Sequence, residues 1–143
     1  MGEFMVDLSN ETMVHIRKNG IEFLQFRKLL EYPEIVHCYT LKAGGFDIAG
    51  NDTYEEKREM LYTNFEKLAG ALGIQKETII RPYQTHTNMV KRVDEPPKKL
   101  TIFPEELTDV DGLVTDKTQI TFSLGFADCT PLYFYDPIKK VIR

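Results

Sequence analysis

The sequence predicts an α+β protein: short strands in mixed or antiparallel sheet layers, with one long helix over 53–72 packed on a face. Three observations carry this. Apolar and polar residues alternate on both sides of Asn19-Gly20, the hydrophobic period changes after Asp52, and β-rich runs return from Thr78 onward.

Thr12 to Arg17 and Ile21 to Phe26 flank Asn19-Gly20. Asn-Gly between alternating runs marks a hairpin, because a type I′ turn needs positive φ at both central residues. After Pro33, Ile35 to Thr40 reads as a third strand that ends at Gly44-Gly45. Thr53-Tyr54-Glu55-Glu56 is a capping box. Tyr54, Leu61, Phe65, Leu68 and Leu72 then recur at helical spacing, and Gly73 supplies the C-cap. Thr78 to Ile80 and Asn88 to Val93 read as strands. Asp94 to Thr108, with three prolines, reads as a long surface loop. Val110 to Thr115, Ile120 to Phe126 and Pro131 to Tyr135 complete the strands, Asp136-Pro137 turns, and Val141 to Arg143 starts another.

A chain of 143 residues suits one domain, here 5–143, and buries roughly 70% of its unfolded surface. Met1 to Phe4, ahead of Met5, reads as a vector scar. The net charge of −4, with no basic cluster, gives nucleic-acid binding no electrostatic support. No apolar run is long enough to span a membrane, and no signal peptide stands at the start. Two cysteines without a secretory signal predict free thiols in a reducing cytoplasm rather than a Cys38–Cys129 disulfide.

Phe126-Ala127-Asp128-Cys129-Thr130-Pro131 places a thiol at a proline-stiffened bend between two apolar runs, and Gln84-Thr85-His86 occupies a similar place upstream. Imidazole and thiolate begin either a metal site or a nucleophile with its base. Each residue also has a plainer use. His86 serves equally as a polar strand-end residue, and Cys129 as a small buried hydrophobe. Asp128 and Asp111 either orient a ligand or cap turns, and Gln84 either holds a substrate edge or bonds its own loop. His15 and His37 read as packing or surface positions.

Gln84-Thr85-His86, Asp111-Gly112-Leu113-Val114-Thr115 and Ala127-Asp128-Cys129-Thr130-Pro131, in that order, resemble the laccase-domain family. Its members were once called multicopper polyphenol oxidases and are now regarded as purine nucleoside phosphorylases with adenosine deaminase side activity. The family pattern runs Gln-x-His, Asp-x-Leu-Val-Thr, Ala-Asp-Cys-x-Pro and then His-Ala-Gly-Trp-Arg-Gly. The first three are here, over roughly residues 36–141. Gly44, Gly45 and Asn64 fall where the family has a Gly-Gly turn and a helical asparagine. Lys42 stands where the family usually has arginine, and a point charge does not replace a bidentate fork. The fourth motif would follow Arg143, so the C-terminal half of the family fold is absent from this sequence.

The resemblance implies a zinc ion with His86 and Cys129 as catalytic residues and two of three metal ligands, the third histidine having no counterpart in the chain. It implies purine nucleoside and phosphate as substrates, with adenosine, inosine or methylthioadenosine as the nucleoside. Gln84, Asp128, Asp111, Lys42, Gly44 and Gly45 become candidates for substrate binding. Beside it stand a non-catalytic reading, a folded half that is inert until completed, and two other chemical ones. One is a copper-dependent polyphenol oxidase, against which three histidines argue. The other is a cysteine hydrolase with Cys129 as nucleophile and His86 as base. An unpaired edge at Val141-Ile142 predicts self-association, such as a homodimer, in this incomplete form.

Overall fold

Asn19 and Gly20, with φ of 56° and 74°, close the first hairpin of the computed structural model, which describes residues 6–42 and 54–143. Both angles are the left-handed ones a type I′ turn requires. The hairpin joins β1 (Met13–Lys18) to β2 (Ile21–Phe26), and β2 pairs antiparallel with β3 (Tyr39–Thr40). A single helical turn, α1 (Arg27–Leu30), follows β2.

β3 is shorter than the alternation over 35–40 predicts, and the reason is a side chain. His37 Nε2 accepts the Phe26 N–H at 2.7 Å, and the Gln25 amide donates to the His37 carbonyl at 3.0 Å. An imidazole thus replaces the backbone carbonyl that a ladder would use. The ring also stacks on Phe26, with centroids 5.8 Å apart.

α2 spans Tyr54–Leu72. The predicted cap at Thr53 and the Gly44-Gly45 turn lie outside the described residues, as does Met1 to Phe4. Leu61, Asn64, Phe65, Leu68 and Ala69 are buried, which is one face at helical spacing. That face packs on β2, where Ile21 and Phe23 are buried. Each large apolar side chain so buried contributes about 1.5–3 kcal/mol. Gly73 at φ 70° and the Ile74 N–H to Ala69 carbonyl bond close the helix as a Schellman motif. Asn19 Nδ2 donates to the Lys67 carbonyl, tying the hairpin turn to the helix.

The chain falls into two compact units, Met1–Ile74 and Gln75–Arg143. The second is built on parallel pairing. β4 (Ile79–Arg81) lies between β6 (Thr101–Ile102) and β8 (Thr121–Phe122), parallel to both. β5 (Val90–Arg92) pairs parallel with β7 (Gly112–Val114). Ile80, Leu107, Val110, Leu113 and Ile120 form its buried cluster. The fold is therefore α+β with few helices and several small sheets, two antiparallel and two parallel among the described residues.

Three expectations need correction here, the first being the strand over 131–135, of which only Tyr135 lies in one, Tyr135–Asp136. The proline-rich segment 94–108 is not a bare surface loop: it carries β6 and a turn at Glu105–Leu107, and buries Leu100, Ile102 and Leu107. Nor is the last strand an unpaired edge. β10 (Val141–Ile142) pairs antiparallel with β9 (Tyr135–Asp136), while Ile142 exchanges hydrogen bonds with Thr115 on its other side. A segment bonded on both sides offers no template for another chain.

Burial holds the His37 pKa below its ordinary value of 6.5. A depressed histidine pKa contributes stability that is whole above the unfolded value and is lost as pH falls through the folded one. The wild-type melting temperature should therefore fall as pH drops below about 6.5, while His37→Ala starts lower and shows less of that fall. Parallel pH profiles for the two proteins would refute the assignment.

Candidate functional site

In parallel sheets, ligands gather outside the carboxyl ends of the strands. At that end of β4 the chain runs Pro82-Tyr83-Gln84, and at that end of β8 it runs Ser123-Leu124-Gly125. The regular ladder stops where the Ser123 N–H meets the Ile80 carbonyl. Beyond it the Gln84 amide takes over: Nε2 donates to the Gly125 carbonyl at 3.0 Å, and the Gly125 N–H donates to Oε1 at 2.6 Å. A side-chain amide has the same donor and acceptor as a peptide, so Gln84 acts as one more strand residue. It joins the loop that carries His86 to the loop that carries Cys129. It also explains why β8 ends at Phe122 and not at Phe126.

Asp111, immediately before β7, organises the His86 loop. Its Oδ1 accepts N–H groups of Thr85 and Thr87 at 3.2 and 3.0 Å, and Oδ2 accepts that of His86 at 3.0 Å. The Thr85 hydroxyl donates to Asp109 Oδ1 at 2.7 Å. Partial burial works to raise the Asp111 pKa, but the donors from Thr87, Thr85 and His86 outweigh it and hold the carboxyl below its ordinary value. Three converging N–H groups let His86 keep φ at 65°, a left-handed angle uncommon outside glycine. Asp109 and Asp128 share that conformation at 62° each.

Arg81 is the buried charge of this unit, only 8% exposed. Nη1 donates to Ser123 Oγ at 3.1 Å, and the guanidinium lies 5.9 Å from the Phe103 ring centroid. Burial lowers its pKa to about 10, so it stays cationic at neutral pH. A Cβ at Gly125 would collide with Arg81 Nη2, so a larger residue there would displace the guanidinium.

The predicted site residues are thus placed unequally. His86 and Cys129 are both exposed, on loops that Gln84 joins, and no hydrogen bond links imidazole to thiol. Asp128 is exposed beside Cys129. Gln84 and Asp111, expected to face substrate, spend their polar atoms on protein backbone. Lys42 is exposed in the first unit; Gly44 and Gly45 are outside the described residues. Cys38 and Cys129 are not joined in a disulfide, and burial pushes the Cys38 thiol up to about 12. A ring nitrogen and a thiol are the right donors for zinc in kind. In number they are too few: among the described residues no group of three or more His, Cys, Asp or Glu gathers to hold a metal. Arg81, Ser123 and Phe103 were not singled out by sequence reasoning; the available signal was an arginine inside the apolar run Ile79-Ile80-Arg81-Pro82.

Residues 39–143 match the family described as multi-copper polyphenol oxidoreductase laccase. The chain belongs to that family. Among curated relatives it is 28% identical over 117 residues to purine nucleoside phosphorylase YlmD of Bacillus subtilis, covering 76% of this chain and 42% of that protein. Purine nucleoside phosphorylase LACC1 of Homo sapiens is 25% identical over 118 residues, covering 76% of this chain and 25% of that protein. The fold is shared with a crystal structure of a Bacillus licheniformis hypothetical protein, YfiH, at a TM-score of 0.61 and 23% identity, over 94% of this chain and 49% of that one. This laccase-family chain therefore spans less than half the length of these relatives. Among its described residues no helix is long and apolar enough to cross a membrane.

If Asp111 positions the His86 loop, Asp111→Asn sets an amide N–H against backbone N–H groups and costs about 1–3 kcal/mol. The carboxylate's contribution is present above the unfolded pKa of 3.8 and lost as pH falls through the lower folded value. Denaturant unfolding at neutral and acid pH checks both; an Asn variant as stable as wild type at neutral pH would contradict the role.

Proposed function

We propose that this laccase-family chain takes part in phosphorolysis of purine nucleosides, with the 84–87 and 125–129 loops as the reacting site. The observation that carries the proposal is the Gln84 amide, which ties the loop of His86 to the loop of Cys129. The naming of several relatives as purine nucleoside phosphorylases supports the reaction class.

In that reaction an oxygen of phosphate bonds to ribose C1′ as the C1′–N9 bond breaks. The purine leaves with the electron pair and takes up a proton. Because Gln84 is committed to backbone and Asp111 to the backbone and hydroxyl of the His86 loop, the residues of the two loops proposed to meet substrate are His86, Cys129 and Asp128. Gln84 and Asp111 are then positioning residues. We propose the nucleoside to be inosine, adenosine or methylthioadenosine, with deamination of adenosine, in which water replaces the C6 amino group, as a side reaction. A reducing cytoplasm suits two cysteines that form no disulfide.

His86 and Cys129 are also proposed as two ligands of a zinc ion whose remaining ligand lies outside the described residues. Bound there, zinc would supply a Lewis acid and an acidified water.

Incubated with inosine and phosphate, the protein should release hypoxanthine and ribose 1-phosphate, and His86→Ala should slow this by about 100-fold or more. Hypoxanthine formation that does not depend on phosphate, or none at all, would overturn the reaction class. Elemental analysis should find zinc in the wild-type protein and less of it in Cys129→Ser. Copper instead would favour an oxidase, and equal zinc in both proteins would remove Cys129 from the ligand set.

A further inference from the structure

Arg81 carries a positive charge in the interior of the second unit, and no carboxylate among the described residues pairs with it. Burying a lone charge is expensive; one left without a counter-ion is strongly disfavoured. The position of its five donors narrows what that counter-ion is. Nη1 is held by Ser123 Oγ. Nε is buried with no hydrogen-bond partner, and Nη2 has none either among the described residues. Nε–H and one Nη2–H point the same way along one side of the planar guanidinium. That side is the fork that grips two oxygens of a carboxylate or phosphate at once.

The fork has a fixed aim. Arg81 ends the central strand β4, with Phe103 just beyond β6 on one side and Ser123 just beyond β8 on the other. Ser123 fixes one nitrogen, the Phe103 ring lies beside the guanidinium, and Gly125 leaves room for Nη2 where any side chain would collide. Gly125 is itself clamped by Gln84, so the guanidinium sits beside the backbone that continues to Cys129.

We propose that Arg81 is the anion-binding residue of the site, and that its Nε/Nη2 side holds inorganic phosphate through two parallel hydrogen bonds. This rests on the phosphorolysis reading for the identity of the anion. The anion receptor itself rests on the unpaired buried fork. Phosphate held at the carboxyl end of β4 would stand next to both loops of the site.

The test uses the wild-type protein, Arg81→Met and Arg81→Lys, with phosphate alone as the first probe. Phosphate should raise the wild-type melting temperature in a saturable way, by the mass-action stabilisation of the folded state. It should do so weakly in Arg81→Lys and not in Arg81→Met. In phosphate-free buffer Arg81→Met loses the Ser123 hydrogen bond together with a buried charge that has no carboxylate partner among the described residues, so each variant's phosphate shift is read against its own phosphate-free melting temperature. In the nucleoside assay, the KM for phosphate should rise about tenfold or more in Arg81→Met, with the KM for inosine little changed.

The possible failures separate the two claims. A phosphate shift that depends on Arg81, without hypoxanthine release, keeps the receptor and sinks the phosphorolysis reading. Phosphorolysis with an unchanged phosphate KM in Arg81→Met sinks the receptor and keeps the reaction. An equal phosphate shift in wild type and Arg81→Met would also overturn the receptor, by showing that phosphate binds elsewhere.

Discussion

The pair of hydrogen bonds between the Gln84 amide and the Gly125 peptide is the interaction on which the candidate site depends. β4 and β8 are parallel and short, and their regular pairing is spent by Ser123. Without a further link, the segments that follow would diverge, each carrying one of the two chemically competent side chains. Gln84 extends the pairing by imitating a peptide group. It does so with a flexible side chain, which leaves the backbone at Thr85 to Thr87 free to turn away. The same substitution shapes the first unit, where the His37 ring takes the place of a carbonyl opposite Phe26 and ends β3 early. In both units a side chain that completes a ladder also marks where a strand becomes a loop.

Asp111 provides the complementary constraint. A left-handed histidine is costly unless its surroundings determine it, and three N–H groups converging on one carboxylate do so. The polar residues nearest His86 thus divide by task. Gln84 and Asp111 are used on the two loops themselves, while His86, Cys129 and Asp128 are exposed. Arg81, beside Gly125, carries its positive charge in the interior, where a neighbouring anion is felt more strongly than in water.

How much of this is legible in the sequence depends on how local the cause is. The Asn19-Gly20 turn, the helical stripe of Leu61, Phe65 and Leu68, and the Gly73 cap are set by residues within a few positions of one another, and all are visible in the pattern. β6 is two residues long, lies among prolines and lysines, and exists because β4 is beside it; nothing within 94–108 announces that pairing. The long apolar run 120–126 predicts a long strand, yet only Thr121–Phe122 is one, since the residue that replaces the ladder lies 41 positions away. For the site, ordered motifs single out His86 and Cys129, while the duties of Gln84 and Asp111 follow from pairings between distant segments. Arg81 is visible only as a charge in an apolar run, and its unpaired fork only in three dimensions.

The measurement that bears most directly on this account is amide hydrogen exchange of wild type and Gln84→Met. The Gly125 N–H, hydrogen-bonded to Oε1 in wild type, should exchange slowly there and quickly in the variant. Amides from Ser123 to Cys129 and from Thr85 to Thr87 should quicken with it, while the β5–β7 pairing stays protected. If Gly125 exchanges equally in both proteins, or if only one of the two loops loosens, Gln84 does not join them and the site is not the unit described.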